Sequence, residues 1–268
     1  MNTKNWILGM VCAIGISNVV SASPIILNEY NAVKSSGYLK DNKSDTYFGR
    51  IPDNGGNWFE LVITEDHLDM RGWTLNWQES SKAGTITLSN DTFWSNMRQG
   101  VILTFIERPA TGGGKSTDTT LNYSNDWWAN ICTLQEQYQY SNSLSWLART
   151  VYTSGGGNAG DFTTSNDGWK VQIKDGNDVV MDWTGEGYFS NGGVGSDEIF
   201  KLEANPSATI ARNSSSYKDG TTSTFGSPNL WSDGVGSQNF STLRAGVPEP
   251  ATLIFLGMSG LYGLIRRK

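Results

Sequence analysis

Apolar and polar residues alternate along much of this chain in short runs with a period of two. Trp169-Lys170-Val171-Gln172-Ile173-Lys174 alternates without a fault, and Asp175-Gly176-Asn177-Asp178 supplies turn chemistry before the apolar pattern resumes over 179–183. That combination predicts a β-hairpin. Similar runs fall at 25–30, 58–63, 71–77, 85–88, 101–106 and 200–203. Trp73, Leu75 and Trp77 share one strand face and are expected in the core. Helix-like periods are confined to 126–134 and 142–151, and polar loops are expected at 185–195 and 214–224. Short strands joined by Gly-rich turns predict an all-β sandwich.

Composition supports strands and turns. The 268 residues include 31 Gly, 11 Trp, 10 Tyr and 10 Phe, so aromatic side chains can supply core volume where aliphatic ones are few. The formal charge is −6. Of the 20 Lys and Arg, four lie at the two ends (Lys4, Arg266, Arg267, Lys268), as does Glu249 among the 26 Asp and Glu. Residues 23–246 therefore carry 16 − 25 = −9. Phosphate binding needs a basic face, so nucleic acid is excluded as a partner.

The two ends read as targeting segments. Lys4 and the α-amine form a basic start, 6–20 is a short apolar run, and Val20-Ser21-Ala22 presents small residues for cleavage. Residues 1–22 are expected to be a signal peptide cut between Ala22 and Ser23. Cys12 lies inside it, so the exported chain keeps only Cys132 and has no intramolecular disulfide. At the other end, 251–265 is apolar and would be roughly 22 Å long as a helix. It is expected to be a single transmembrane helix. Arg266, Arg267 and Lys268 form a basic cluster that stops transfer and holds the tip in the cytoplasm. Pro248 and Pro250 prevent that helix from extending upstream. Residues 232–246 read as a flexible stalk.

Pro248-Glu249-Pro250, an apolar span and a basic tip together resemble the PEP-CTERM sorting signal of Gram-negative bacteria, over 247–268. The resemblance implies recognition of Pro248, Glu249 and Pro250 by an exosortase, a membrane transpeptidase. A membrane-anchored precursor would then be delivered to the cell surface or extracellular matrix, where exopolysaccharide is a prospective partner.

The interior resembles a lamin-tail domain over 23–231. The matching pieces are Ile25-Ile26-Leu27-Asn28-Glu29, Asn57-Trp58-Phe59-Glu60-Leu61, Leu68 through Leu75, Gln99-Gly100-Val101-Ile102-Leu103 and, as the closing turn, Gly226-Ser227-Pro228-Asn229. The resemblance implies an immunoglobulin-like β-sandwich, here with an insertion over 107–160. It also implies that Glu60 is structural and that the domain serves adhesion or biofilm matrix without catalysis.

Specific chemistry is sparse. Gly112-Gly113-Gly114-Lys115-Ser116 lacks the first glycine of a phosphate loop, because that position is Pro109. One histidine, His67, and one exported cysteine exclude zinc, and no cofactor or metal is expected. Asp41 to Asp45 and Asp175 to Asp178 are the turns best suited to calcium. Two alternatives to a purely structural role remain. One is a carbohydrate-binding module stacking sugars on Trp127, Trp128 or Trp231. The other is a hydrolase using paired carboxylates drawn from Glu60, Glu79, Asp182 and Glu186.

Overall fold

The structure of this chain, a computed structural model, describes residues 22–108, 117–134, 146–155, 161–184, 193–210 and 215–245. The expected signal peptide up to residue 21, the sorting motif, the apolar span and the basic cluster lie outside the described residues, as do the Gly112 loop and Glu186. Among the described residues no helix is long and apolar enough to cross a membrane.

Among the described residues, eleven strands form two sheets. The first holds β1 (Ile25–Asn31), β2 (Trp58–Ile63), β5 (Ile102–Ile106), β6 (Trp128–Cys132), β10 (Ile199–Leu202) and β11 (Tyr217–Gly220), in the order β11-β10-β1-β2-β5-β6. The second holds β3 (Thr74–Glu79), β4 (Lys82–Leu88), β7 (Ala148–Ser154), β8 (Lys170–Asp175) and β9 (Asp178–Thr184), in the order β7-β4-β3-β8-β9. All neighbours are antiparallel except β5 and β6. The fold is all-β, and the 169–183 hairpin forms as β8 and β9 in antiparallel register.

Alternation decides what lies between the sheets. Phe59, Leu61 and Ile63 of β2 and Leu103 and Phe105 of β5 join one buried cluster with Leu75 and Trp77 of β3, Ile86 of β4, and Val171 and Ile173 of β8. Aromatic rings fill much of it: Phe59 stacks on Phe105 at 5.2 Å, and Trp169 lies 4.6 Å from Tyr30. Trp73, Leu75 and Trp77 are all buried, as their shared face predicts.

The first sheet is unusual in being buried on both faces: every residue of β1, β2, β5 and β10 is buried. Its outer face carries a second apolar cluster of Val33, Leu39, Trp58, Ile106, Cys132, Ile199 and Phe225, with Tyr47 and Phe48 packed against it. The segments 32–56 and 221–240 thus form a third layer of loops over this sheet. Cys132 is a buried hydrophobe there, and burial pushes its thiol up to about 11, far from reactivity.

Two expectations are corrected. The helix-like stretches over 126–134 and 142–151 contain no described helix: Trp128–Cys132 is β6, and the second stretch ends in β7. These strands of the 107–160 segment supply an edge to each sheet. The polar loop at 214–224 contains β11.

The expected stalk is also folded up to residue 245. Trp231 N donates to Gly236 O, and Gln238 and Phe240 are buried. After one helical turn at Ser241–Arg244, the Arg244 guanidinium donates twice to Gly100 O, at 2.9 and 3.2 Å, and lies over the Phe240 and Trp127 rings. The reason is that two side chains able to fill buried sites, Gln238 and Phe240, interrupt an otherwise linker-like composition. We expect trypsin to leave the bond after Arg244 intact in the folded protein and to cut it once the chain is unfolded in urea. Mass spectrometry of the fragments reads this directly, and cleavage at equal rates in both states would mean that the segment is undocked.

Candidate functional site

A polar row crosses the outer face of the first sheet. Strand register places Lys201 beside Glu29, Glu29 beside Glu60, Glu60 beside Thr104, and Thr104 beside Asn130. All five residues are fully buried. A bulge between Leu27 and Glu29 allows two successive polar residues of β1, Asn28 and Glu29, to take part while Leu27 and Tyr30 stay in the core.

Burying this row requires partners, and the closing segment supplies them. Glu60 accepts from Gly226 N, from Asn28 Nδ2 at 3.3 Å and from Thr104 Oγ1 at 3.3 Å. Glu29 accepts from Thr224 Oγ1 at 2.9 Å and from Thr224 N. Lys201 Nζ donates to Thr222 O at 2.7 Å and to Leu230 O at 2.5 Å. Asn229 is the hub: its Nδ2 donates to Asn28 O and Leu202 O, and its Oδ1 accepts from Asn28 Nδ2 and Thr224 Oγ1. Gln238 donates to Asn28 Oδ1 and Leu202 O and accepts from Asn229 N. Gly226 fits because it is bare: its φ is +73°, and a Cβ there would lie 2.4 Å from Trp128 Cε2.

The carboxyls respond to this setting. Burial pushes Glu29 up to about 7, against the pull of Lys201. Burial, and then the Glu29 charge beside it, pushes Glu60 well above the usual carboxylate range. Glu29 thus faces the Lys201 ammonium, whereas Glu60 faces the Glu29 carboxyl. Both carboxyls are spent on holding 222–230 in place, an arrangement that locks a segment to a sheet. Glu79 accepts from Ser165 Oγ at 3.3 Å at the far end of β3 and belongs to a different sheet from Glu60.

The other surface of interest is open. On the outer face of the second sheet lies a groove of about 480 Å³ touching all five strands. Register sets Thr85, Asn76, Gln172 and Asp182 in one row across β4, β3, β8 and β9, with Ala83, Gln78 and Lys170 in the next. These are the polar positions left when Trp77, Ile86, Val171 and Ile173 turn inward. Thr85 Oγ1 donates to Asn76 Oδ1 at 2.8 Å. The side-chain N–H groups of Asn76, and the whole amides of Gln78 and Gln172, have no hydrogen-bond partner among the described residues.

The remaining expected residues are accounted for individually. At the expected cleavage junction Ala22 is exposed and Ser23 N donates to Ala208 O at 2.9 Å. Trp127, Trp128 and Trp231 are half-buried and already engaged. Trp127 lies between Arg244 and Tyr123, Trp128 Nε1 donates to Thr104 Oγ1, and the Trp231 ring packs on Gly236. They form no open stacking platform. Asp45 is spent on Tyr47 N, Phe48 N, Ser223 Oγ and Phe225 N. No group of three or more His, Cys, Asp or Glu suited to a metal occurs among the described residues. His67 is exposed, paired with Asn96 and Asp66.

Comparison with protein-family models, curated proteins and solved structures returns no match to this chain.

Proposed function

We propose that this chain is an exported, non-catalytic surface or matrix protein whose two-sheet body is an immunoglobulin-like domain of the lamin-tail type. Its terminal segment is the PEP-CTERM tag by which an exosortase sorts it. One observation carries the domain reading. The pieces of sequence that resemble the lamin-tail pattern, Asn28 and Glu29, Glu60, and Gly226 with Asn229, lie up to about 200 residues apart. They converge on one buried hydrogen-bond net. Such a net gives these residues a shared structural reason, and it occupies Glu60, one of the carboxylates that a hydrolase would need free.

The export reading rests on the two terminal sequence patterns, the signal-like start before Ser23 and Pro248-Glu249-Pro250 ahead of the apolar span and basic tip. The test is the mass and location of the native protein in a host with an exosortase and in one without it. We expect the species carrying Lys268 to vanish, and protein to reach the matrix, only where the enzyme is present. Full-length protein retained in the membrane of both hosts would reduce the tail to an anchor and overturn the sorting role.

A further inference from the structure

We infer that the groove on the outer face of the second sheet binds a neutral, hydroxyl-rich polysaccharide chain laid across the strands. This inference rests on the surface or matrix role proposed above and gives it a ligand class. Backbone N–H and C=O groups inside a paired sheet are consumed by the ladder, so only side chains can recognise a ligand on its face. The row from Thr85 through Asn76 and Gln172 to Asp182 presents a hydroxyl, two amides and a carboxylate, with the Gln78 amide, Lys170 and Thr153 alongside. Amides and hydroxyls both donate and accept, as sugar hydroxyls do.

Three amides of this face keep hydrogen-bonding capacity to spare, those of Asn76, Gln78 and Gln172. The Asn76 N–H groups and the Gln172 amide are half-buried yet have no partner among the described residues. A structural role would have paired them, as it paired Glu29, Glu60 and Lys201 with the closing segment.

Charge and spacing narrow the ligand. One Lys and one Asp line the groove, so it is locally neutral, within a body of net charge −9 that repels an anionic polymer. A peptide strand would seek an unpaired sheet edge or apolar pockets, which this face lacks. The polar groups recur once per strand, about every 4.8 Å. A linear glycan advances by about that step per sugar, so each ring in turn meets one strand.

The test uses the full chain in detergent, titrated against a panel of neutral linear glycans (β-glucan, mannan, xylan and galactan) and against alginate as the acidic control. We expect binding to at least one neutral glycan and weaker binding to alginate. Asn76→Ala combined with Gln172→Ala should weaken the neutral interaction at least about tenfold, the loss of two or more hydrogen bonds. Gln172→Glu, nearly isosteric, serves if the double variant fails to fold, and it should weaken neutral binding while leaving the melting temperature in place. No binding across the neutral panel, preference for alginate, or unchanged affinity in the variants would each overturn the inference. A protein that reaches the matrix yet ignores the panel sinks this ligand alone, whereas one that never leaves the membrane sinks the sorting role instead.

Discussion

Asn229→Ala should lower the unfolding free energy by about 3 kcal/mol, seen as a drop in the urea midpoint with an unchanged slope. The side chain is fully buried, and its amide serves Asn28 O, Leu202 O, Asn28 Nδ2 and Thr224 Oγ1. Truncation leaves these groups buried with fewer partners and removes the clamp between β1, β10 and the closing segment. The cost comes from desolvated groups left unpaired rather than from lost apolar area. Asn229→Asp is the sharper comparison. It keeps the acceptor, loses both donors and adds a carboxylate beside Glu29 and Glu60, so it should be at least as damaging. A loss below about 1 kcal/mol for the alanine variant would mean that the closing segment is not held through this residue.

Stability should also fall as the pH rises from about 4.5 through neutrality. An unfolded glutamate titrates near 4.5, whereas folded Glu29 titrates at about 7 because burial disfavours its charge. Between those values the folded state holds a proton that the unfolded state has released. Its advantage is therefore complete below 4.5, declines through the window and is gone above about 7. The change is on the order of 3 kcal/mol from Glu29. Glu60 moves in the same direction and extends the decline to higher pH. Glu60→Gln keeps the shape, retains an acceptor for Gly226 N and cannot ionise. It should be nearly neutral at pH 5 and more stable than the parent at pH 8.5. Melting curves at the two pH values check this, and parallel decline in both proteins would place the titrating group elsewhere.

Much of the sandwich was legible: alternation, the imprint of a two-faced strand, marks β8 and β9, and short, strongly apolar runs mark β2 and β5. β6 escaped because Ala129 and Cys132 are small and Asn130 breaks the run, so no strong apolar signal marks the strand. β7 escaped for the opposite reason: Thr150 is buried and Val151 is 56% exposed, so hydropathy runs against burial. β11 offers a single apolar residue, Tyr217. The locked row was only partly readable. Family resemblance marked Glu60 as structural, but nothing local to Glu29 announces Thr224, which lies 195 residues away. The groove was invisible until register paired Asn76 with Gln172, since each residue alone is an ordinary outward polar position.

The docking of Arg244 against Gly100 shortens the tether. Pro248 follows Ala245 by three residues, a reach of at most about 11 Å when fully extended. If the tail seats in a membrane, the body cannot roam above it as a bead on a string. It must pivot close to the surface on the end that carries Gly100 and Trp127, and any enzyme acting at Pro248 must work in the shadow of a folded domain.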